Sequence, residues 1–263
     1  MYGVVLAGGT GSRLFPLTKV TNKHLLPIGN KPMIYYPIEK LIEAKINKIV
    51  IVTGTEHMGS VVQLLGSGKD FGCEFTYKVQ DKAGGIAEAL GLSSNIVNEK
   101  MVVILGDNIF EDNISNFVSE FREQSEGAKI LLKEVSDPSR FGVPEFRNYK
   151  IVAIEEKPSI PKSKFCVTGI YMYHPDVFEI IKNLKPSQRG ELEITSVNNH
   201  YAEKNTLTFN TLQGEWTDAG TFESFNRANY LVRVKNNDWL WFNQTFFEEQ
   251  MIQERTFPEI LIG

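Results

Sequence analysis

Apolar positions in the first half of the chain fall into two alternating patterns. Short runs of Val, Ile and Leu occupy residues 2–7, 47–54 and 101–108, and each meets a glycine, at Gly8, Gly54 and Gly106. Runs this short, β-branched and stopped by glycine predict buried strands. Residues 73–80, CEFTYKVQ, alternate apolar and polar and predict a strand with one solvated face. Between the strands the period changes. Met33, Ile34, Ile38, Leu41 and Ile42 recur at helical spacing. Pro32 suits a first turn there, whereas Pro37 predicts a kink or a late start. Residues 56–66 and 112–124 predict two further helices. Strands alternating with helices argue for a parallel sheet covered on both faces.

The second half reads differently. Residues 127–135, 142–146, 150–158 and 164–173 are strand-like runs without long helices between them. They predict antiparallel strands added to the sheet or forming a small subsheet. Helices return at 175–183, 191–204 and 221–235. No repeat or long linker interrupts the chain. The expected fold is α/β: a Rossmann-like, three-layer, mostly parallel sheet with helices on both faces and an added antiparallel subsheet. One domain is expected over residues 1–235. A tail, 236–263, follows; its Trp239, Trp241, Phe246 and Phe247 read as packing or a subunit contact.

Composition narrows the function. Among 263 residues, 42% are hydrophobic, enough for a core, and the net charge of −4 disfavours a nucleic-acid partner. Useful cations must then be local. Cys73 and Cys166 lie far apart, without metal or redox spacing, which suits a reducing cytoplasm. The first apolar run stops at Ala7 with no charged segment before it, so no signal peptide is expected. No run approaches the ~20 apolar residues of a membrane span.

The chemistry starts at residues 4–16, VVLAGGTGSRLFP. A dinucleotide fingerprint counted from Gly9 needs a third glycine where Leu14 stands. A Walker loop needs Gly-Lys-Ser/Thr, but Gly11 is followed by Ser12 and Arg13. Glycines still let backbone N–H groups approach phosphate, and Arg13 adds a fork of donors. Pro16 argues against a long helix after the loop, so side-chain cations must do the neutralising. The plain alternative is a tight turn with a surface arginine. Lys23 taken alone reads as a solvated lysine. Asp107 follows a buried strand, at the edge where open α/β sheets bind ligands. It and Asp218 read equally as turn or cap residues; brought together, they suit Mg²⁺. Residues 155–158, EEKP, and 189–195, RGELEIT, each set a cation beside acids. The first also fits a solvated hairpin end. The second fits a helix start with Glu191 and Glu193 near its positive end. No nucleophile motif competes, and His24, His57, His174 and His200 are scattered and read as structural or exposed.

The order and spacing of LAGGTGSRLFPLT, NKHLLPIGNKPMIYYP, VQDKAGGIAEAL, LGDNIF, FGV, EEKP, VTGIY, RGELEIT and WTDAGT closely resemble the glucose-1-phosphate thymidylyltransferases, within the sugar-nucleotide pyrophosphorylases. The resemblance spans residues 2 to about 230. It implies that Leu6, Gly8, Gly9, Gly11, Ser12 and Arg13 embrace a nucleoside triphosphate and that Lys23 contacts the reacting phosphates. Gln80 and Gly85 would read a pyrimidine. Asp107 and Asp218 would bind Mg²⁺, with Asp107 also on the nucleotide side. Asn108, Gly142, Glu156 and Val167 would hold the hexose, and Lys157 with Arg189 its phosphate. Arg13, Lys23, Lys157 and Arg189 would be the catalytic cations. Glu88 and Ser196 stand where that family often carries Gln and Asp. Longer members end in a helical extension that helps build a regulatory nucleotide site; this chain looks like a shorter form with an unusual tail.

The implied partners are dTTP or UTP, glucose 1-phosphate and pyrophosphate, in a cytoplasmic homo-oligomer, dimer or tetramer. The product, dTDP-glucose, would start dTDP-sugar synthesis, such as that of dTDP-rhamnose. The alternatives are a pyrophosphorylase using UTP or another sugar 1-phosphate, and a non-catalytic nucleotide-sugar sensor. The sensor should have lost Arg13, Lys23 or an acidic metal ligand, and this chain retains them all. A dehydrogenase is disfavoured by Leu14.

Overall fold

A computed structural model describes residues 1–235 of the chain. The strands and helices of the first half are β1 (Tyr2–Ala7), β2 (Pro27–Ile28), β3 (Lys31–Pro32), α1 (Tyr35–Glu43), β4 (Lys48–Gly54), α2 (Met58–Leu65), β5 (Glu74–Gln80), α3 (Ile86–Gly91), β6 (Met101–Leu105), β7 (Asn108–Phe110) and α4 (Ser115–Glu123). The second half contributes β8 (Ala128–Glu134), β9 (Gly142–Arg147), β10 (Lys150–Glu156), β11 (Phe165–Tyr173), α5 (Val177–Lys182), α6 (Ile194–Glu203), β12 (Leu207–Thr211), β13 (Trp216–Asp218) and α7 (Phe222–Lys235).

Seven strands form one sheet in the order β12-β8-β11-β6-β1-β4-β5. β11 is antiparallel to both neighbours, β6 and β8, while the other pairings are parallel. The mostly parallel sheet is therefore as expected. Side chains alternate across it. Val4, Leu6, Val50, Val52 and Val103 face a core closed by α3, α5 and α6. Val5, Ala7, Ile49, Ile51, Val102 and Ile104 face the opposite core, closed by α1, α2 and α4. Apolar residues at every position, not every second one, are what burial of both faces requires.

The added antiparallel part takes both expected forms. β11 enters the central sheet, and β9 with β10 makes a separate hairpin. Helix α1 starts late, at Tyr35, so Pro37 falls in its first turn, where its missing N–H costs no helical bond. The run at residues 101–108 breaks in two. β6 ends at Leu105 and β7, beginning at Asn108, turns away to pair with β13. That break is what presents Asp107. Helix α6 begins at Ile194, later than residue 191, because the backbone just before it is engaged elsewhere: the Glu191 carbonyl accepts from Ser187, and Leu192 pairs with Gly84 and Ala87. The tail's Trp239, Trp241, Phe246 and Phe247 lie outside the described residues.

Candidate active site

The carboxyl ends of β1, β5 and β6 open into a cleft of about 570 Å³, lined there by Leu6, Gly8, Gly9, Gln80, Leu105 and Asp107. After Gly9 the chain makes one 3-10 turn at Ser12–Leu14 rather than a long helix. Leu14 is buried and anchors the loop, leaving Arg13 on the cleft wall. Gly11 and Ser12 belong to the loop but stand outside that wall. The Arg13 guanidinium reaches the turn after Asp218. A side-chain carbon built on Gly220 would lie 3.0 Å from its Nη2.

Lys23 is no surface lysine. Its Nζ sits 2.6 Å from Asp107 Oδ2, and the two side chains are only 11% and 12% exposed. Burial alone would push the Asp107 carboxyl upward. The Lys23 charge, with hydrogen bonds from Lys23 and Asn108, outweighs it and lowers the pKa to about 2. Neighbouring His24 is buried, with Nδ1 2.7 Å from Asn22 Oδ1. Burial, aided by the Lys23 charge, lowers its pKa to about 3, so the ring is neutral at pH 7 and Nδ1–H donates to Asn22. Asn22 in turn accepts from the His24 amide and donates to the Ala7 carbonyl at 3.4 Å. The Lys23 segment is thereby tied to the end of β1.

His24 gives the fold a pH dependence of definite sign. A ring whose pKa falls from 6.5 unfolded to about 3 folded stabilises the protein fully above pH 6.5. That stabilisation is lost as pH falls toward 3. Between pH 6.5 and 5 the loss is about 2 kcal/mol. Urea unfolding at pH 7 and pH 5 measures it, and His24→Gln should flatten the difference. An equal difference in the variant assigns the slope to other groups.

Asp218 closes β13 opposite Asn108 of β7. Its pKa is raised, first by burial and then by the negative charge of Asp107, against the pull of Arg140, Arg13 and Lys23. Arg140, unremarked in the sequence, lines the cleft with Nη2 3.8 Å from Asp218 Oδ2 and its guanidinium 5.5 Å from the Phe141 ring. Asn108 is nearly fully buried. Its Oδ1 accepts from the Trp216 indole at 2.8 Å and the Gly169 amide at 3.0 Å, while Nδ2 donates to Asp107 Oδ1 at 3.2 Å. Asn108 is thus fixed by β13 and β11 and in turn braces Asp107 through its one remaining hydrogen bond.

The opposite wall carries Gly142, Glu156, Lys157, Val167 and Arg189, all lining the same cleft. Thr195, at the start of α6, donates to Glu156 Oε2 at 2.5 Å. Lys157 adopts φ +49, its amide donates to Phe141 at 2.9 Å, and its Nζ lies 3.6 Å from Glu156. Arg189 is held at the rim by both oxygens of Glu193 at 2.9 Å, with Glu191 at 3.5 Å and Glu156 at 3.8 Å. The hydrogen bond to Glu193 raises its already high pKa. The cleft wall thus holds five cations (Arg13, Lys23, Arg140, Lys157, Arg189) and five carboxylates (Asp107, Glu156, Glu191, Glu193, Asp218).

Every predicted position except Gly11 and Ser12 lines this one cleft. A glycine-rich loop at one end and cations at the other, around the carboxylates of Asp107 and Asp218, can accommodate two phosphate-bearing ligands side by side. A profile described as nucleotidyl transferase matches residues 2–234. The chain belongs to that family. Among curated members, a glucose-1-phosphate thymidylyltransferase of Neisseria meningitidis is 42% identical over 242 residues, 90% of this chain and 84% of that one. A crystal structure from Bacillus anthracis, provisionally named a glucose-1-phosphate thymidylyltransferase and in complex with sucrose, is 62% identical. It superposes with a TM-score of 0.86 over 89% of this chain and 95% of its own. A UDP-glucose pyrophosphorylase bound to UDP-glucose is 27% identical with a TM-score of 0.80, covering 89% of this chain and 98% of that one. Among the described residues, no helix of this nucleotidyl transferase is long and apolar enough to cross a membrane.

Proposed function

We propose that this enzyme transfers a thymidylyl group from dTTP to glucose 1-phosphate, giving dTDP-glucose and pyrophosphate. The supporting observation is that Arg13 and Lys23 share one cleft with Lys157 and Arg189, around Asp107 and Asp218. In this reading Leu6, Gly8, Gly9 and Arg13 take the triphosphate, and Gln80 with Gly85 takes the base. Gly142, Glu156 and Val167 take the hexose, and Lys157 with Arg189 takes its phosphate.

A sugar-phosphate oxygen attacks the α-phosphorus while pyrophosphate departs in line. The sugar phosphate is an anion at neutral pH, so no general base is required and the cleft needs no nucleophile. The work is positioning and charge neutralisation. Two unit charges ~4 Å apart at an effective dielectric of ~20 repel by about 4 kcal/mol. Arg13 and Lys23 offset this from the nucleotide side, and Lys157 and Arg189 from the sugar side.

The two carboxylates fit a hard divalent cation. Both offer oxygen donors, Asp107 is buried, Asp218 is largely enclosed, and burial together with the charge of Asp107 raises the Asp218 pKa. Mg²⁺ held there by Asp107 and Asp218 would supply further charge neutralisation at the reacting phosphates. Among the described residues, no three His, Cys, Asp or Glu side chains form a fuller protein cage. We place the enzyme in the cytoplasm as a homo-oligomer. Free thiols at Cys73 and Cys166 support the first point, and exposed Phe15, Leu17 and Val20 the second.

UTP is the second reading of the nucleotide, favoured by the fold shared with a UDP-glucose pyrophosphorylase. Pyrophosphate release across dTTP, UTP and dCTP, each paired with glucose 1-phosphate and galactose 1-phosphate, decides between them. The highest kcat/KM is expected for dTTP with glucose 1-phosphate. Binding without pyrophosphate from any pair would establish a nucleotide-sugar sensor instead.

A further inference from the structure

Behind the Gln80 end of the cleft stands an acid, Glu88, to which no role has been given. Gln80, the last residue of β5, is almost fully buried. Its Nε2 donates to Glu88 Oε2 at 3.1 Å and lies 3.4 Å from the Gly85 carbonyl. Both partners are acceptors only, so they determine which end of the amide faces them. The other end, Oε1, turns toward Gly8 of the opening loop, 2.5 Å from where a side-chain carbon on that glycine would stand. Glu88 reaches this position across Gly84, where any side chain would overlap its carboxylate. Glycines at 8 and 84 thus make room for one particular orientation of one amide.

We infer that Glu88 is a positioning residue that locks the Gln80 amide with its carbonyl as the acceptor offered to the base, so that the site selects a pyrimidine carrying a hydrogen on N3. This deepens the reading of Gln80 as the base contact and rests on it. Thymine and uracil present N3–H to that carbonyl. Cytosine presents a lone pair at N3, and two lone pairs would then face each other. Accommodating cytosine requires the amide to turn over. That rotation points Oε1 at the Glu88 carboxylate and the Gly85 carbonyl, replacing two hydrogen bonds with two repulsions. A glutamine at 88, as the resembling family often has, could donate to the turned amide; a glutamate cannot. The charge at 88 therefore sharpens discrimination at N3 and leaves thymine and uracil equivalent.

Glu88→Gln and Glu88→Ala test the lock, with kcat/KM measured for dTTP and dCTP. In both variants the dTTP:dCTP ratio should fall about tenfold or more, the scale of losing one charge-assisted hydrogen bond. The fall should come from improved use of dCTP, while the apparent KM for glucose 1-phosphate stays put. Either variant alone reads the ratio if the other does not fold. An unchanged ratio, or equal losses on both nucleotides, overturns the lock and leaves Glu88 a structural residue. Gln80→Ala separates this from failure of the underlying reading. If it collapses the ratio while the Glu88 variants do not, the base contact stands and only the lock fails. If Gln80→Ala leaves the ratio intact, the base is not read at Gln80.

Discussion

Asp107→Asn and Asp218→Asn should each lower kcat by about 10²–10³, the usual cost of one preorganised electrostatic group at a reacting centre. If the two carboxylates act as a unit at one reacting centre, as proposed, the double variant should lose far less than the product of the single losses. Stability should move in opposite directions. Asp107→Asn leaves the buried Lys23 ammonium without its counter-ion, and breaking such a pair costs about 3–5 kcal/mol. Asp218 is instead held in a site that raises its pKa, through burial and the charge of Asp107. Neutral asparagine removes that penalty, so Tm should hold or rise. Thermal unfolding beside steady-state kinetics separates the effects. Full activity in either single variant, or strictly multiplicative losses, argues against a shared role.

Arg13→Lys and Arg189→Lys should damage different substrates. Arg13 stands on the glycine loop proposed to take the triphosphate, beside the Asp218 turn, so Arg13→Lys should raise KM for dTTP and lower kcat together. Arg189 belongs to the rim across the cleft, where Glu193 grips its fork through both oxygens. Lysine cannot reproduce that fork, and the charge should then be poorly placed for the sugar phosphate. An increase in KM for glucose 1-phosphate of about tenfold is expected, with a smaller change for dTTP. Varying each substrate against a saturating partner measures the split. If Arg189→Lys harms dTTP as much as the sugar phosphate, Arg189 serves the reacting centre or the scaffold.

The parts legible in the sequence are those that local pattern determines. β1, β4 and β6 are continuous apolar runs because both faces are buried, and the glycine loop and Asp107 follow directly from where two of them stop. Short elements were invisible. α3 has six residues behind a glycine, and β7 and β13 have three each, too few to show a period. β12 reads LTFNT, with only two apolar positions, and was missed for the same reason. Arg140 was missed because its place depends on how residues 137–141 fold over the cleft after β8. No local signal marks that, although FGV lies immediately beyond it. Lys23 looked like a solvated lysine because its partner, Asp107, is 84 residues away. His24, read as one scattered histidine among four, shares that distant environment.

The even division of charge on the cleft wall shapes how ligands arrive and leave. Five cations with five carboxylates around them do not make a bare positive basin, and the chain as a whole carries −4. An incoming triphosphate or sugar phosphate enters by exchange. Arg189 has Glu193 to leave, and Lys23 has Asp107 to share. Long-range attraction contributes little, so encounter depends only weakly on ionic strength. The same carboxylates stand ready when pyrophosphate departs: Lys23, Arg140, Lys157 and Arg189 each have an acidic partner to return to. A site that supplies its own counter-ions can grip several phosphates during reaction without becoming a sink for them afterwards.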